Sequence, residues 1–136
     1  MKVCFKGLKK FFHDGEIDVI KDFVHFLQQK VPLNKDITIT LLQNRDLPMT
    51  TGVRMPGSEI FVLAGGRLMI DIMRTLSHEW IHEFQHQKMG IKDFRGSKDI
   101  GGPEENMANV LSGIFLKQFD LMYPNYSALI FGESQS

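Results

Sequence analysis

Residues 67–89 read RLMIDIMRTLSHEWIHEFQHQKM. At about 100° per residue, Met69, Ile72, Met73, Leu76, Trp80, Ile81 and Phe84 cover one half of a helical wheel. Asp71, Arg74, Thr75, His78, His82 and Gln85 fall on the other half. The pattern predicts one long amphipathic helix, stopped by Gly90.

Upstream, Ile17, Ile20, Val24, Leu27 and Val31 recur at helical spacing, which predicts a helix over 15–30. Glu16 and Asp18 favour its N-terminus, and Pro32 follows its end. Residues 37–42, ITITLL, read as a strand. A second strand is expected at 50–55, between Pro48 and the Pro56-Gly57 turn, and a third at 59–63, ended by Gly65-Gly66. Downstream, 91–102 reads as a polar, glycine-containing loop, either a mobile cleft rim that affects substrate choice or a plain surface connector. Pro103 opens a last helix running to about Met122, and Pro124 ends it. The tail from Gly132 is expected to fray. The expected fold is α+β in a single domain spanning 1–136. A helix and a small twisted sheet of three or four strands, mixed or antiparallel, precede two long helices.

Composition narrows the function. Apolar residues make up 43% and charged residues 24%, as in a globular chain rather than a disordered one. Lysine plus arginine equals aspartate plus glutamate, 16 each, so no net field steers the chain to nucleic acid or an anionic membrane. Lys6, Lys9 and Lys10 read as a solvated terminus. They also interrupt any apolar run that would make a signal peptide or a membrane span. The single cysteine, Cys4, cannot form an internal disulfide. It reads as a small buried or inert residue rather than an inhibitory metal-binding thiol. A cytoplasmic location is expected.

The chemistry concentrates at His78-Glu79-Trp80-Ile81-His82, a His-Glu-x-x-His sequence on the central helix. Histidines four residues apart lie one turn apart on one face, so both imidazoles can reach one ion, and neutral imidazoles suit zinc. Glu79 points about 100° away from His78. It can stay off the metal and still act as general base on a metal-bound water.

A third protein ligand is needed, and His86, Glu104 and Glu105 are the candidates. His86 lies about 12 Å along the helix axis from His78, too far to share an ion easily, and reads either as a residue lining the cleft or supporting the ligands, or as an ordinary surface histidine. Glu105 is favoured because Ala108, Asn109 and Ser112 share its helical face, and small side chains let two helices approach closely. Glu104 points away and reads as solvated. Tyr123, Tyr126 and His86 could each donate a hydrogen bond to an oxyanion, although ordinary packing is the expected role of each tyrosine.

His78-Glu79-x-x-His82 followed by a glutamate opening the next helix resembles the gluzincin type of zinc metallopeptidase. With Glu105-x-x-Ala108-Asn109 it is similar in particular to the ImmA/IrrE group of intracellular peptidases, in which an E-x-x-A-[ND] helix supplies the third ligand. The resemblance covers roughly residues 37–120, and its specific part is these two short motifs. It implies zinc held by His78, His82 and Glu105, and a peptide or protein substrate bound in extended form on an edge strand, expected at 59–63. Where that group carries a Phe-Ala-Ala-rich stretch, this chain has Val110-Leu111-Ser112-Gly113. No DNA-binding helix-turn-helix segment is read in it, so a stand-alone peptidase is expected rather than a repressor-cleaving one. Peptide deformylases share the His-Glu-x-x-His motif but take a cysteine ligand from a glycine-cysteine context that Cys4 does not have. The remaining alternative is a non-catalytic module stabilised by the same metal. Such a site has no use for an open coordination position beside a base.

Overall fold

The structure, a computed structural model, describes residues 1–45, 49–90 and 102–132. Its elements in chain order are β1 (Val3–Lys6), α1 (Leu8–Phe11), α2 (Asp14–Lys30), β2 (Ile37–Leu42), β3 (Gly52–Met55), β4 (Glu59–Leu63), α3 (Met69–Met89) and α4 (Pro103–Met122). A 3-10 turn (Pro124–Tyr126) and α5 (Ser127–Phe131) follow. The fold is α+β.

Local chemistry sets the helix ends. His13 Nδ1 accepts from the Glu16 backbone N–H, while Glu16 Oε1 accepts from the His13 N–H, a reciprocal cap that starts α2. Gly90 ends α3 in the left-handed conformation, φ 68°, where a side chain would be strained. Pro103 occupies the first turn of α4, where its missing N–H costs nothing. Gly132 caps α5 in the same way as Gly90; the rest of the tail lies outside the described residues.

The sheet order is β1-β2-β4-β3, with β1, β2 and β4 parallel and β3 antiparallel to β4. It is therefore a four-stranded mixed sheet. This corrects the expected edge: 59–63 lies inside the sheet between β2 and β3, and the edge strands among the described residues are β1 and β3. The strand expected from residue 50 begins at Gly52. β1, α1 and α5 are additional to the elements that the sequence predicts. β1 alternates half-buried Val3 and Phe5 with exposed Cys4 and Lys6, a period of two that spans only four residues. Cys4 is exposed rather than buried.

Ile37, Ile39 and Leu41 of β2 join Ile60 and Val62 of β4 in one core with Phe23 and Leu27 of α2 and Ile72, Met73, Leu76 and Trp80 of α3. The indole N–H of Trp80 donates to the carbonyl of Val31 (2.8 Å), which pairs the one polar atom of this large buried side chain. Phe119 of α4 meets Phe23 and Phe26 of α2 edge-on, with centroids 5.1 and 5.6 Å apart. Each fully buried phenylalanine contributes roughly 1.5–3 kcal/mol by leaving water, so this cluster fixes α4 on the body of the protein. No helix among the described residues is long and apolar enough to cross a membrane.

Part of the polar half of α3 is withdrawn from water. Thr75, His82 and Gln85 are buried there, together with Glu79 and Glu83, where β3 and α4 pack on the helix, while Asp71 and Arg74 stay exposed. A buried ion pair fixes β3 there: Arg54 Nε meets Glu83 Oε1 at 2.7 Å. Glu83 Oε2 accepts from Ser58 Oγ (3.1 Å) and from the Gln87 amide, whose oxygen in turn accepts from the N–H groups of Asn34 and Lys35. Removing one member of such a pair strands the other charge, typically at about 3–5 kcal/mol, so the network holds edge strand and helix together.

Candidate metal centre

Two helices build the site. α3 presents His78 and His82 one turn apart, with rings at 80° and centroids 4.6 Å apart. The first turn of α4 presents Glu105 against both. Its Oε1 lies 2.9 Å from His78 Nε2, and its Oε2 lies 3.0 Å from His82 Nε2. The two Nε2 atoms are themselves 3.0 Å apart. Close helix contact makes this possible. Ala108 and Ser112 are buried on the α4 face that carries Glu105, and Ser112 Oγ folds back onto the Ala108 carbonyl (2.7 Å). The exposed Asn109 of the same face hydrogen-bonds the His78 side chain.

Burial pushes the pKa of His78 down, and the neighbouring His82 lowers it further, against the opposing pull of Glu105 and Asn109. The net direction favours a neutral imidazole, the form a metal ligand needs. His78, His82 and Glu105 could together hold a metal ion. Zinc bonds of about 2.0–2.2 Å in tetrahedral array put neighbouring ligand atoms roughly 3.3–3.5 Å apart. The observed 2.9–3.0 Å separations are a few tenths of an ångström tighter. Two nitrogens and a carboxylate oxygen form the donor set of a zinc site with one open position, so the residues fit the ion. The cluster reaches solvent: the His78 and Glu105 side chains retain 17% and 29% of their surface, against 8% for His82.

Glu79 stands outside this triad, 8% exposed, on the side of α3 that meets β3. Gly52 provides the room. A Cβ at that position would run into Thr75 Cγ2 and would sit 3.1 Å from Glu79 Cγ and 3.2 Å from the Phe61 carbonyl oxygen. The requirement at Gly52 is space, set by the close approach of strand to helix. We predict that Gly52→Ala destabilises the fold by about 1–3 kcal/mol, the usual cost of forcing a methyl into a packed contact. Chemical denaturation measures this directly. An unshifted midpoint would mean that β3 does not pack so closely on Thr75 and Glu79.

β3 is an open edge among the described residues. The Leu63 N–H donates to Thr51 O (2.8 Å), which marks that pair as hydrogen-bonded in the antiparallel ladder. By alternation, the backbone N–H and C=O groups of Gly52 and Arg54 turn away from β4 toward the edge. The strand beside Glu79 thus offers backbone groups to an extended chain.

The other candidates separate clearly. Glu104 is half-buried, and its backbone carbonyl accepts from the Gln85 amide (2.9 Å). His86 is exposed, one turn beyond His82. Tyr123 lies eighteen residues past Glu105, about 27 Å along α4 at a rise of about 1.5 Å per residue, and Tyr126 lies beyond it. The Tyr126 hydroxyl donates to Asp22 Oδ2 on α2 (2.6 Å), which pushes its pKa up to about 12. Both tyrosines are thereby removed from the oxyanion candidates: Tyr123 packs on Phe119, and Tyr126 stacks on Tyr123. Cys4 sits on β1, the edge opposite β3, and takes no part in the cluster. The loop expected at 91–102 lies, but for Gly102, outside the described residues.

Two residues were not singled out from the sequence. Gly52 is a glycine inside a β-rich run, a pattern that signals close backbone approach. Gln85 is buried and lies three residues beyond His82, with its Oε1 2.8 Å from His82 Nδ1. Neither a family model, nor a curated protein, nor a solved structure matches this chain.

Proposed function

We propose that this chain is a zinc-dependent hydrolase acting on peptide bonds, of the gluzincin type and related to the ImmA/IrrE group. In this reading His78, His82 and Glu105 hold the ion and Glu79 is the general base. One observation carries it: two imidazole nitrogens and a carboxylate from two helices converge within 3.0 Å of one another in a solvent-reached cluster, with Glu79 outside that set. A closed, purely structural site would not leave a ligand 29% exposed.

Bound zinc supplies a Lewis acid that polarises the scissile carbonyl and makes water a nucleophile near neutral pH. The chain's own residues do the rest. The outward backbone groups of Gly52 and Arg54 pair with an extended polypeptide as an added strand, which lays a peptide bond beside the cluster. The Glu79 carboxylate takes a proton from the attacking water and returns it to the leaving amine. Near burial of Glu79 between α3 and β3 keeps its carboxylate directed and limits competing water.

The test joins metal analysis of the purified chain to cleavage of an unbiased peptide library. The expected result is about one zinc per chain and cleavage abolished by chelation and restored by zinc. Zinc without cleavage of any library member would favour a metal-stabilised binding module, and absence of any transition metal would refute the site altogether.

A further inference from the structure

We propose that Gln85 is a positioning residue that fixes the tautomer of His82 and the approach of α4, so that the site is ordered before an ion arrives. The effect on metal binding rests on the zinc reading above; the effect on the tautomer does not.

Gln85 has no exposed surface, so both ends of its amide must be paired inside the protein. One end lies 2.9 Å from the backbone carbonyl oxygen of Glu104. A carbonyl only accepts, so this end is the NH2 group. The other end is therefore the amide oxygen, 2.8 Å from His82 Nδ1. That oxygen also only accepts, so Nδ1 must carry the hydrogen. In a neutral imidazole the single N–H is then used, and Nε2 presents a lone pair.

Nε2 is the atom that faces Glu105 Oε2 and His78 Nε2, each at 3.0 Å; a carboxylate oxygen only accepts, so this lone pair and the carboxylate would be matched by a cation held between them rather than by a hydrogen bond. Turning the amide over would set two carbonyl oxygens against each other at Glu104 and put the hydrogen of His82 on Nε2, inside the cluster. The Glu104 carbonyl thus selects the amide orientation, and the amide selects the ligating form of His82. Because Glu104 immediately precedes Glu105, the same hydrogen bond holds the first turn of α4 in place. One buried side chain therefore orders two ligands on two helices.

The test uses the full chain in two states. Histidine ring 15N shifts of the metal-free protein, recorded at about pH 8 and so above the usual histidine pKa of about 6.5, report the tautomer directly. The expected result is a His82 ring protonated at Nδ1 in the parent, and a gain of the Nε2–H form in Gln85→Met. Zinc affinity, measured by competition with a chromophoric chelator, should fall about 10- to 100-fold in Gln85→Met, the range for losing a partner that orients a ligand. Gln85→Glu keeps the acceptor for Nδ1 and loses the donor to Glu104. It should retain the parental tautomer and still bind zinc more weakly. A parent ring protonated at Nε2 would overturn the proposal whether or not the variants fold. Parental zinc affinity in a folded Gln85→Met would overturn the coupling to the site. A parent with the expected tautomer that binds no zinc would support the role of Gln85 and refute the zinc reading instead.

Discussion

Replacing Glu79 with glutamine is expected to lower turnover by roughly 10²- to 10⁴-fold, the usual worth of a positioned general base, while fold and zinc content stay at the parental level. The substitution keeps the size of the side chain and removes only its ability to take a proton. Size matters at this position, because the Glu79 side chain packs against β3 at the place where Gly52 leaves room for it. Glutamine fills the same space, so a loss of activity cannot be assigned to a cavity or to a displaced strand. Metal content should also hold, since the three converging donors are His78, His82 and Glu105. The measurement is the rate of parent and Glu79→Gln, matched for zinc, on a peptide the parent cleaves. Equal rates would mean that the hydrolysis comes from another site or a contaminant, and the proposed mechanism would fall. A chain with no hydrolysis of its own and no functional cost of the substitution would instead be the binding module.

Much of the fold could be read locally. The stretches predicted at 37–42 and 59–63 and the helix opened by Pro103 have the observed limits, because caps, prolines and side-chain periodicity act within a few residues. What escaped depends on partners far along the chain. β1 is a four-residue strand whose pairing with Ile37–Thr40 is parallel, and nothing within Val3–Lys6 announces that partner. The place of 59–63 inside the sheet likewise follows from β2 pairing on one side and β3 on the other. On α3 the wheel separates a polar half from an apolar half but cannot say that β3 and α4 cover part of the polar half as well. Gln85, on that polar half, is fully enclosed. For the candidate centre, histidine spacing placed His78 and His82 together, and the small face of α4 pointed to Glu105. The role of Gln85 was not legible, because it depends on a backbone carbonyl contributed by a different helix.

The two adjacent glutamates of α4 should respond in opposite ways to alanine. Glu105→Ala removes the carboxylate whose two oxygens lie 2.9 and 3.0 Å from the two imidazoles. Zinc affinity should drop by more than the roughly 10- to 100-fold that follows loss of an outer partner, because a donor itself is gone. Glu104→Ala should leave the affinity close to parental. What Glu104 contributes is its backbone carbonyl, which accepts from Gln85, and alanine keeps it. Both residues lie in the first turn of α4, where either carboxylate favours the helix N-terminus by only about 0.3–1 kcal/mol. The generic cost of removing a charge is therefore nearly the same in the two variants, and their difference isolates coordination. Chelator competition on the pair, with thermal unfolding as the control for fold, makes the comparison. Zinc lost in Glu104→Ala and kept in Glu105→Ala would reverse the assignment of the third ligand. Zinc kept in both would mean that the carboxylate bridging the two histidines is an ion-pair partner rather than a ligand, and that the remaining coordination has to come from elsewhere in the chain.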